Sequence, residues 1–569
     1  MRWGFGMGLL GTIQQAKGGL DVAQIGLQVV GNNVANANTP GYIRQQLQQA
    51  SSVAVRDGNL IKGHGVLPTG IVQVIDQALA ERMMNAKTAL TGAEALEKAY
   101  NQLEELSSDL DNTGLSQQFS QFNNSIHELS AQPGDTSLRE FVILQGETLA
   151  SNLRRTRENA VAQQITWDGD FKEMANQINR LTERIAELNL EISTIEGGGG
   201  LRNSDATGLR DQRYRDLEEL STYVQINYQE QASGAVNVFV GGDYLVSNSN
   251  QRDVFSDYSE SAGGQEIRII ETDSPLQVTG GKIAASKQAR DGVFGDYIQK
   301  LDKIAAALIR SVNEVHSQGQ GREAYQSLTS SFQGEGGVPL ASSGMTFIPD
   351  NGTFDMNLVD DAGEILSTHQ IAVRRLGQVS DSSINSVVAE IDAIAGISAS
   401  VTSEGYVEII SDSPTSGFTF GEDTSGFLAA IGINTFFVGK NAVDIDVNAQ
   451  LKRNSDLLAI SSGGIGEDTD ALTRLVDLVD RPLDELDGRS VRGVYEGTLA
   501  SLGQKVSLQS SETEGLRNFH STLESQHLSI TGVNIDEESI KMIAYQRAFQ
   551  ASSKVIATAA EMLDILVNL

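Results

Sequence analysis

The sequence has 569 residues, several times the usual size of one domain, so three or four domains are expected. It contains no cysteine, which excludes disulfides, thiolate metal sites and thiol nucleophiles. The formal net charge of −32 opposes binding to a phosphate backbone and argues against nucleic acid as a partner.

The first predicted element is a helix with an apolar seam. Its apolar residues recur at alternating spacings of three and four, the pattern of a coiled coil. These positions are Ile13, Ala16, Leu20, Ala23, Leu27, Val30, Val34 and Ala37. Pro40 and Gly41 then end the helix, because proline lacks an amide hydrogen and glycine accepts a positive φ.

The residues before this seam imitate two other signals. Arg2 followed by apolar residues 3–13 is similar to the start of a signal peptide, but no cleavage site follows, so an uncleaved N-terminus is expected. Gly6, Gly8 and Gly11 have the spacing of a dinucleotide-binding loop, yet five residues cannot supply the strand that this loop needs. The sequence has no run of about 18 apolar residues, and no membrane span is predicted.

Helical periodicity dominates the next part of the chain. A seam with perfect three-four spacing predicts a long rod helix, formed by Phe171, Met174, Ile178, Leu181, Ile185, Leu188, Ile192 and Ile195. Weaker helical patterns cover about 73–110, 138–167, 209–223 and 294–315. Together they predict an elongated helical domain.

Two regions change to the period of two that is typical of strands. Residues 236–246 read as a hairpin around Gly241 and Gly242, and 266–272 as a further strand. A larger β-rich region runs over 319–455 and includes one helix at 382–395. Its candidate strands are 345–348, 353–358, 370–374, 398–402 and 406–410.

The C-terminus repeats the pattern of the N-terminus. Its seam is formed by Met542, Tyr545, Phe549, Ser552, Ile556, Ala559, Leu563 and Leu566. Each terminal helix could dock on its own domain, but two matched seams favour pairing with each other. Residues 1–50 have a net charge of +2 and 528–569 of −2, so the middle of the chain carries the acidic charge and is expected to face water.

These patterns predict a multidomain α+β fold, with a long helical bundle and a terminal coiled coil built from both chain ends and with inserted β-rich domains. The predicted domains are a terminal coiled-coil inner domain (1–72 and 525–569), an elongated helical domain (73–232, 282–318 and 456–524), a small β-hairpin insertion (233–281) and a β-rich outer domain (319–455).

We find no residue pattern that supports catalysis, a cofactor or a metal. Asp444, Asp446 and Asn448 begin like a calcium-binding loop, but Ala449 and Ser455 occupy the positions that need glycine and glutamate, so a turn is expected. No two of the six histidines have the spacing of a helical metal site, and no nucleophile-elbow or P-loop motif occurs. We therefore expect a protein that is not an enzyme.

One string carries a specific resemblance. Residues 31–42 read Gly-Asn-Asn-Val-Ala-Asn-Ala-Asn-Thr-Pro-Gly-Tyr, which resembles the N-terminal motif of bacterial flagellar rod, hook and hook-associated axial proteins. The family motif residues are Asn32, Asn33, Asn36, Thr39, Pro40, Gly41 and Tyr42. Arg44-Gln45 resembles the version in the hook-associated protein 1 family, although Ile43 departs from the hydroxyl residue usual there.

Other segments resemble the same family. They are 209–213 with 216–220, the stretch from Ser425 to Phe437, and the C-terminal signature at 531–538, 545–546 and 548–552. The segment 73–79 departs from the family, which more often has arginine where Gln73 stands.

The resemblance implies a structural junction subunit that links hook to filament and is required for filament assembly. It also implies export through the flagellar type III apparatus, an extracellular location, and a homo-oligomeric ring. The implied partners are hook protein, hook-associated protein 3 and a cytoplasmic export chaperone. The alternatives are another axial protein, such as hook-associated protein 3 or a flagellin, and a surface adhesin whose β-rich region binds glycans or host proteins.

Overall fold

The computed structural model describes residues 2–57, 60–107, 114–197, 205–378, 381–466, 468–476 and 478–567. The chain divides into two compact units. The terminal unit consists of Met1–Lys98, Thr166–Ala289 and Leu508–Leu569, and the central unit of Ala99–Ile165 and Arg290–Ser507. The multidomain α+β fold class expected from the sequence is confirmed.

Long helices form the frame of both units. In the described residues the α-helices are α1 (Arg2–Ala35), α2 (Gln77–Ser107), α3 (Leu115–Ala131), α4 (Thr136–Glu196), α5 (Thr207–Tyr223), α6 (Gly281–Gln288), α7 (Asp296–His316), α8 (Ile384–Asp392), α9 (Phe427–Ile431), α10 (Ala449–Arg453), α11 (Asp470–Val476), α12 (Val491–Thr531) and α13 (Ile535–Val567). A π-helix, Ala289–Gly295, lies between α6 and α7. No described helix is both long and apolar enough to cross a membrane.

The sheets are small and antiparallel. The strands are β1 (Gln45–Ser51), β2 (Val55–Asp57), β3 (Leu60–Lys62), β4 (Val66–Gln73), β5 (Asn227–Glu230), β6 (Val236–Val240), β7 (Asp243–Ser247), β8 (Asn250–Gln251), β9 (Val254–Ser259), β10 (Gly264–Ile269), β11 (Ser274–Pro275), β12 (Ser327–Thr329), β13 (Gly352–Asp360), β14 (Ile365–Val373), β15 (Ile397–Val401), β16 (Val407–Ser411), β17 (Ser416–Asp423), β18 (Phe437–Val438) and β19 (Asp446–Val447). The larger sheets have the strand orders β5-β6-β7-β8, β11-β10-β9, β12-β16-β15 and β14-β13-β17.

The core of the terminal unit joins helices to two of these sheets. Phe171, Ile178 and Ile185, from the seam of α4, are at most 2% exposed. They pack in one cluster with α5 and with the inward side chains of β6, β7, β9 and β10. The first part of the apolar stripe of α4, from Phe171 to Ile185, is therefore buried against α5 and these strands, whereas Ile195 at its end is 62% exposed.

The core of the central unit is rich in phenylalanine. Phe354, Phe418, Phe420 and Phe427 are at most 1% exposed and pack with the apolar face of α8. The rings of Phe354 and Phe427 are stacked, with centroids 5.7 Å apart. The inserted sheets thus have a core of their own, as their alternating pattern requires.

One asparagine fastens this β-rich region to the end of α7. Asn434, at φ 52°, donates from Nδ2 to the carbonyl oxygens of Ser317 and Gly319 at 3.1 and 2.9 Å, and its Oδ1 accepts from Tyr325 at 2.7 Å. Asn313 in α7 accepts the amide hydrogens of residues 436 and 437. The stretch 425–437, singled out by its resemblance, therefore binds the carbonyl end of α7.

The structure corrects several boundaries expected from the sequence. The helices expected at 138–167 and 171–195 are one continuous helix, α4, and the first helix begins at Arg2 rather than Ile13. The strand expected at 345–348 is wrong, because this segment has no strand pairing. Helix α3 and strands β1, β4 and β17 were missed.

Candidate assembly site

Helices α1 and α13, from opposite ends of the chain, pack side by side and antiparallel. The helices approach closely at two glycines of α1 that are seven residues apart. A Cβ on Gly19 would lie 2.9 Å from Oγ of Ser552, and a Cβ on Gly26 would lie 2.6 Å from ring carbons of Tyr545. Each seven-residue step along α1 matches a seven-residue step along α13, so the pair has one defined register.

A third contact continues this register with polar groups. Asn33 is 1% exposed, and its amide nitrogen donates to the backbone oxygen of Gln45 and to Oε2 of Glu538, both at 2.9 Å. Its Oδ1 accepts from the Tyr42 hydroxyl at 2.8 Å and from the Gln45 amide at 3.0 Å. Asn33 thus uses its two donors and two acceptor positions to join α1, the following turn, β1 and α13.

The carboxylate on the α13 side is equally enclosed. Glu538 is 1% exposed, and its second oxygen accepts from Nζ of Lys541 at 2.6 Å. Arg44 adds a 3.3 Å ion pair to Glu537, and its backbone amide donates to the carbonyl of Thr531 at 2.8 Å. Because a buried charge is costly without partners, these contacts make the N-terminal motif and the C-terminal signature one polar junction.

The turn that carries the family motif is held by its own side chains. Asn36 donates to the carbonyl of Asn32 at 3.0 Å and accepts from Oγ1 of Thr39 at 3.2 Å. Gly41 has φ +73°, a conformation that favours glycine, and a Cβ there would meet the Arg215 side chain at 2.7 Å. These contacts and the backbone conformation explain why the motif has these residue types at Asn33, Asn36, Thr39, Gly41 and Tyr42. Asn32 and Pro40 are exposed, and Pro40 accepts from Arg215 through its carbonyl oxygen.

A buried carboxylate bonds to the backbone directly after the turn. Asp211, 5% exposed, accepts from Nε2 of Gln73 and from the backbone amide of Ile43. Burial raises the pKa of Asp211 to about 6, although these two bonds and Arg215 oppose that rise. Gln73, where the family more often has arginine, therefore bonds directly to the segment 209–213 that also resembles the family.

Of the residues of the predicted assembly seam, Tyr545 of α13 lies against Gly26 of α1. In α13 the half-buried or buried positions include Met542, Tyr545, Phe549, Ile556 and Leu563, and their outward neighbours are exposed. In α1, Ile13, Leu20, Leu27 and Val34 are half-buried. The side chain of Leu566 lies outside what the structure describes. The role of these residues in assembly stays a prediction.

Sequence reasoning missed two features of this site. Gly19 and Gly26 were not singled out, although their spacing of seven residues matches that of the seam. Glu538 lies in the segment 531–538 that resembles the C-terminal signature, but no contact was predicted for it. No pattern in a single sequence could show that Glu538 meets Asn33, which lies 505 residues earlier.

The structure also shows which contacts the residues of the other candidate sites make. Asp444 accepts the amide hydrogens of its own turn, Asp446 pairs with Lys452 at 2.9 Å, and Asn448 caps α10. These oxygens are therefore occupied by a turn, an ion pair and a helix cap. The glycines at positions 8 and 11 lie inside helix α1 rather than in a loop after a strand.

Three family models match the chain. The helical domain of flagellar hook-associated protein FlgK matches residues 100–327, the C-terminal domain of the flagellar basal body rod FlgEFG proteins matches 524–569, and the flagella basal body rod protein model matches 13–42. Flagellar hook-associated protein 1 of Salmonella typhimurium is 24% identical over 98% of this chain and 99% of that protein. Over nearly its whole length the chain is therefore similar to hook-associated protein 1.

Other proteins show the same similarity. Flagellar hook-associated protein 1 of Escherichia coli is also 24% identical over 98% of the chain, and that of Bacillus subtilis is 27% identical over 54%. The solved structure of the flagellar hook junction protein FlgK from Burkholderia pseudomallei matches with a TM-score of 0.50 at 13% identity. It covers 79% of this chain and 100% of that one, and it supports the fold of a hook-associated protein 1.

Proposed function

We propose that this chain is the structural subunit that joins hook to filament in a bacterial flagellum, and that its paired terminal helices are the part that assembles. The observation that carries the proposal is the polar junction of Asn33 with Glu538, which ties the motif shared with axial proteins to the C-terminal signature. Asn33 and Glu538 connect α1, α13 and the strand β1, and this arrangement is structural rather than catalytic.

A second surface feature supports assembly through α13. After α13 has packed on α1, a row of apolar side chains outside the predicted seam remains 41–69% exposed. We name this row the outer stripe, and its members are Ile540, Ile543, Val555, Met562 and Ile565. Several large apolar side chains exposed along one long helix are typical of a surface that another protein covers.

We infer the further partners from the family. Subunits would form a ring through their terminal helices, with hook protein on one side and hook-associated protein 3 on the other. An export chaperone would hold α13 before secretion through the flagellar type III apparatus. The division into inner, helical, hairpin and outer domains is part of the same proposal, with the acidic middle of the chain facing the medium.

A gene deletion tests the function. Cells without this chain are expected to build hooks but no filaments, and to release filament protein into the medium. The full-length chain is expected to restore filaments. A Met562→Glu variant should be exported yet fail to restore them, because a charge on the outer stripe opposes its burial. Gln546→Glu, exposed and outside the stripe, serves as the matched control. Normal filaments in the deletion strain would refute the proposal.

A further inference from the structure

The motif turn forms one wall of a cavity in the terminal unit. This cavity, of about 320 Å³, lies between residues 36–43, α5 and the end of α12. Met83, Leu528 and Val533 give it apolar sides. A cavity of this size can hold a large side chain or a small ligand.

The charged groups that line the cavity are acidic. Glu218 and Glu524 contribute carboxylates, and no lysine or arginine is among the described lining residues. Glu218 is half-buried, and its carboxylate has no hydrogen-bond or ion-pair partner in the described part of the chain. Burial and the nearby Glu524 raise the pKa of Glu218, while Lys87 lowers it. A half-buried carboxylate without a bonded partner is a place where a cation is stabilised.

Two stacked rings complete the cavity. Tyr214 and His527 lie with centroids 5.7 Å apart and ring planes only 6° from parallel. Burial lowers the pKa of His527, so this ring is neutral at pH 7 and adds no positive charge. Aromatic faces beside a carboxylate suit a flat, weakly hydrated cation, which is the chemistry of guanidinium rather than ammonium.

We propose that this cavity receives the guanidinium of Arg547 from a second copy of the chain. Arg547 lies in α13 among the residues of the outer stripe, is exposed, and has no hydrogen-bond or ion-pair partner in the described residues. The inference rests on the proposed function, because the second copy is the neighbouring subunit of the ring. It assigns to the motif turn a role in contacts between subunits, beyond joining the two chain ends.

Lys554 provides the natural comparison. It lies seven residues after Arg547 on the same exposed face and carries the same charge. Its ammonium is compact and strongly hydrated, and it cannot make the planar, two-pronged contact that guanidinium makes with a carboxylate. The cavity should therefore distinguish the two residues by chemistry as well as by position.

Cross-linking between copies tests the assignment in assembled flagella. The chain has no cysteine, so two differently tagged copies, one with Glu218→Cys and one with Arg547→Cys, can form a disulfide only with engineered partners. In purified hooks we expect a dimer that carries both tags, at several-fold higher yield than for Glu218→Cys with Lys554→Cys. Equal yields, or no mixed dimer in hooks that contain both copies, would overturn the proposal.

A solution experiment keeps the test independent of the junction function. Purified chain is titrated with L-arginine methyl ester while the His527 ring protons are followed by NMR. Saturable shifts are expected, and they should be lost in Glu218→Gln. They should also be absent with L-citrulline methyl ester, whose uncharged ureido group is an isostere of guanidinium. Shifts of the same size in Glu218→Gln would show that the cavity does not bind the cation. If the purified chain binds the arginine ester in this titration but does not reach the hook in cells, only the junction function is refuted.

Discussion

At the residue scale, Asn33 joins the N-terminal motif to Glu538, which lies 505 residues later in the chain. The motif could be predicted to matter from its resemblance, but its partners could not, because hydrogen bonds between residues 33 and 538 leave no local pattern. The same holds for Asp211, whose contact with Gln73 depends on how α5 packs on β4. Helix periodicity, in contrast, is local, and it identified the buried face of α13.

We predict that Asn33→Ala weakens the junction of the chain ends. The substitution removes four hydrogen bonds and leaves Oε2 of Glu538 and the Gln45 backbone without their bonds to Asn33, which should cost about 3 kcal/mol of unfolding free energy. Amide exchange of α13 would measure the loss. The exposed neighbour Asn32→Ala should have little effect. Equal exchange in both variants would contradict this role for Asn33.

His316 predicts a pH dependence of stability. It is 0% exposed, and Nδ1 donates to the carbonyl of Asn434 at 2.8 Å while Nε2 accepts from the amide of Ala459 at 3.1 Å. The bond that Nε2 accepts requires the neutral ring, and burial lowers the pKa of His316 from 6.5 to about 4, although the bond to the Asn434 carbonyl opposes this shift. Below pH 6.5 the unfolded chain takes up a proton that the folded chain does not. Stability is therefore lost as pH falls from 6.5 to 4, by up to about 3 kcal/mol.

The His316→Gln variant isolates this contribution. Glutamine can offer one donor and one acceptor without titrating, so its unfolding free energy should change less over this interval than that of the parent chain. Buried Asp211, with its pKa raised to about 6, acts in the opposite direction in both proteins and cancels in the difference. Urea unfolding at pH 7, 5.5 and 4 gives the comparison. Parallel curves for the two proteins would rule out a neutral buried His316.

At the element scale, glycine spacing sets how two helices meet. The three-four seam predicted which face of α13 is buried, and on α1 it placed the contact at large residues that alternate with alanine and valine, without the glycines. The structure brings α13 close to Gly19 and Gly26, where the missing side chains leave room for Ser552 and Tyr545. The length of α4 was also underestimated, because two separate helices were predicted where the structure has one helix without a break.

We predict that Gly26→Leu disrupts the pairing of α1 with α13. The new side chain would overlap the ring of Tyr545, and the cost of overpacking is about 1–3 kcal/mol. Gly31→Leu is the matched control, since no atom lies within 4 Å of its Cβ position, and it should gain about 1 kcal/mol from helix propensity. Thermal unfolding of the two variants would separate them. A stabilised Gly26→Leu would show that the register is different.

At the scale of the whole molecule, the sequence was sufficient for the class of fold and for the family. Periods of 3.6 and 2 marked most helices and the hairpin at 236–246, and the terminal motifs carried the resemblance. The strands β1, β4 and β17 could not be predicted, because their polar or irregular patterns become strands only through partners elsewhere in the chain. How the chain ends join, and which apolar face stays exposed, required the structure.

The central claim is that the paired terminal helices hold this chain at the end of the hook. Immunogold labelling of isolated hooks, with export measured in the same cultures, tests it most directly. We predict label at the distal end for the parent chain and for Gln24→Glu, an exposed position of α1. Ile556→Glu, which places a charge in the α1–α13 contact, should be exported equally but recovered in the medium. Label at the hook end for Ile556→Glu, at the level of the parent chain, would contradict the account.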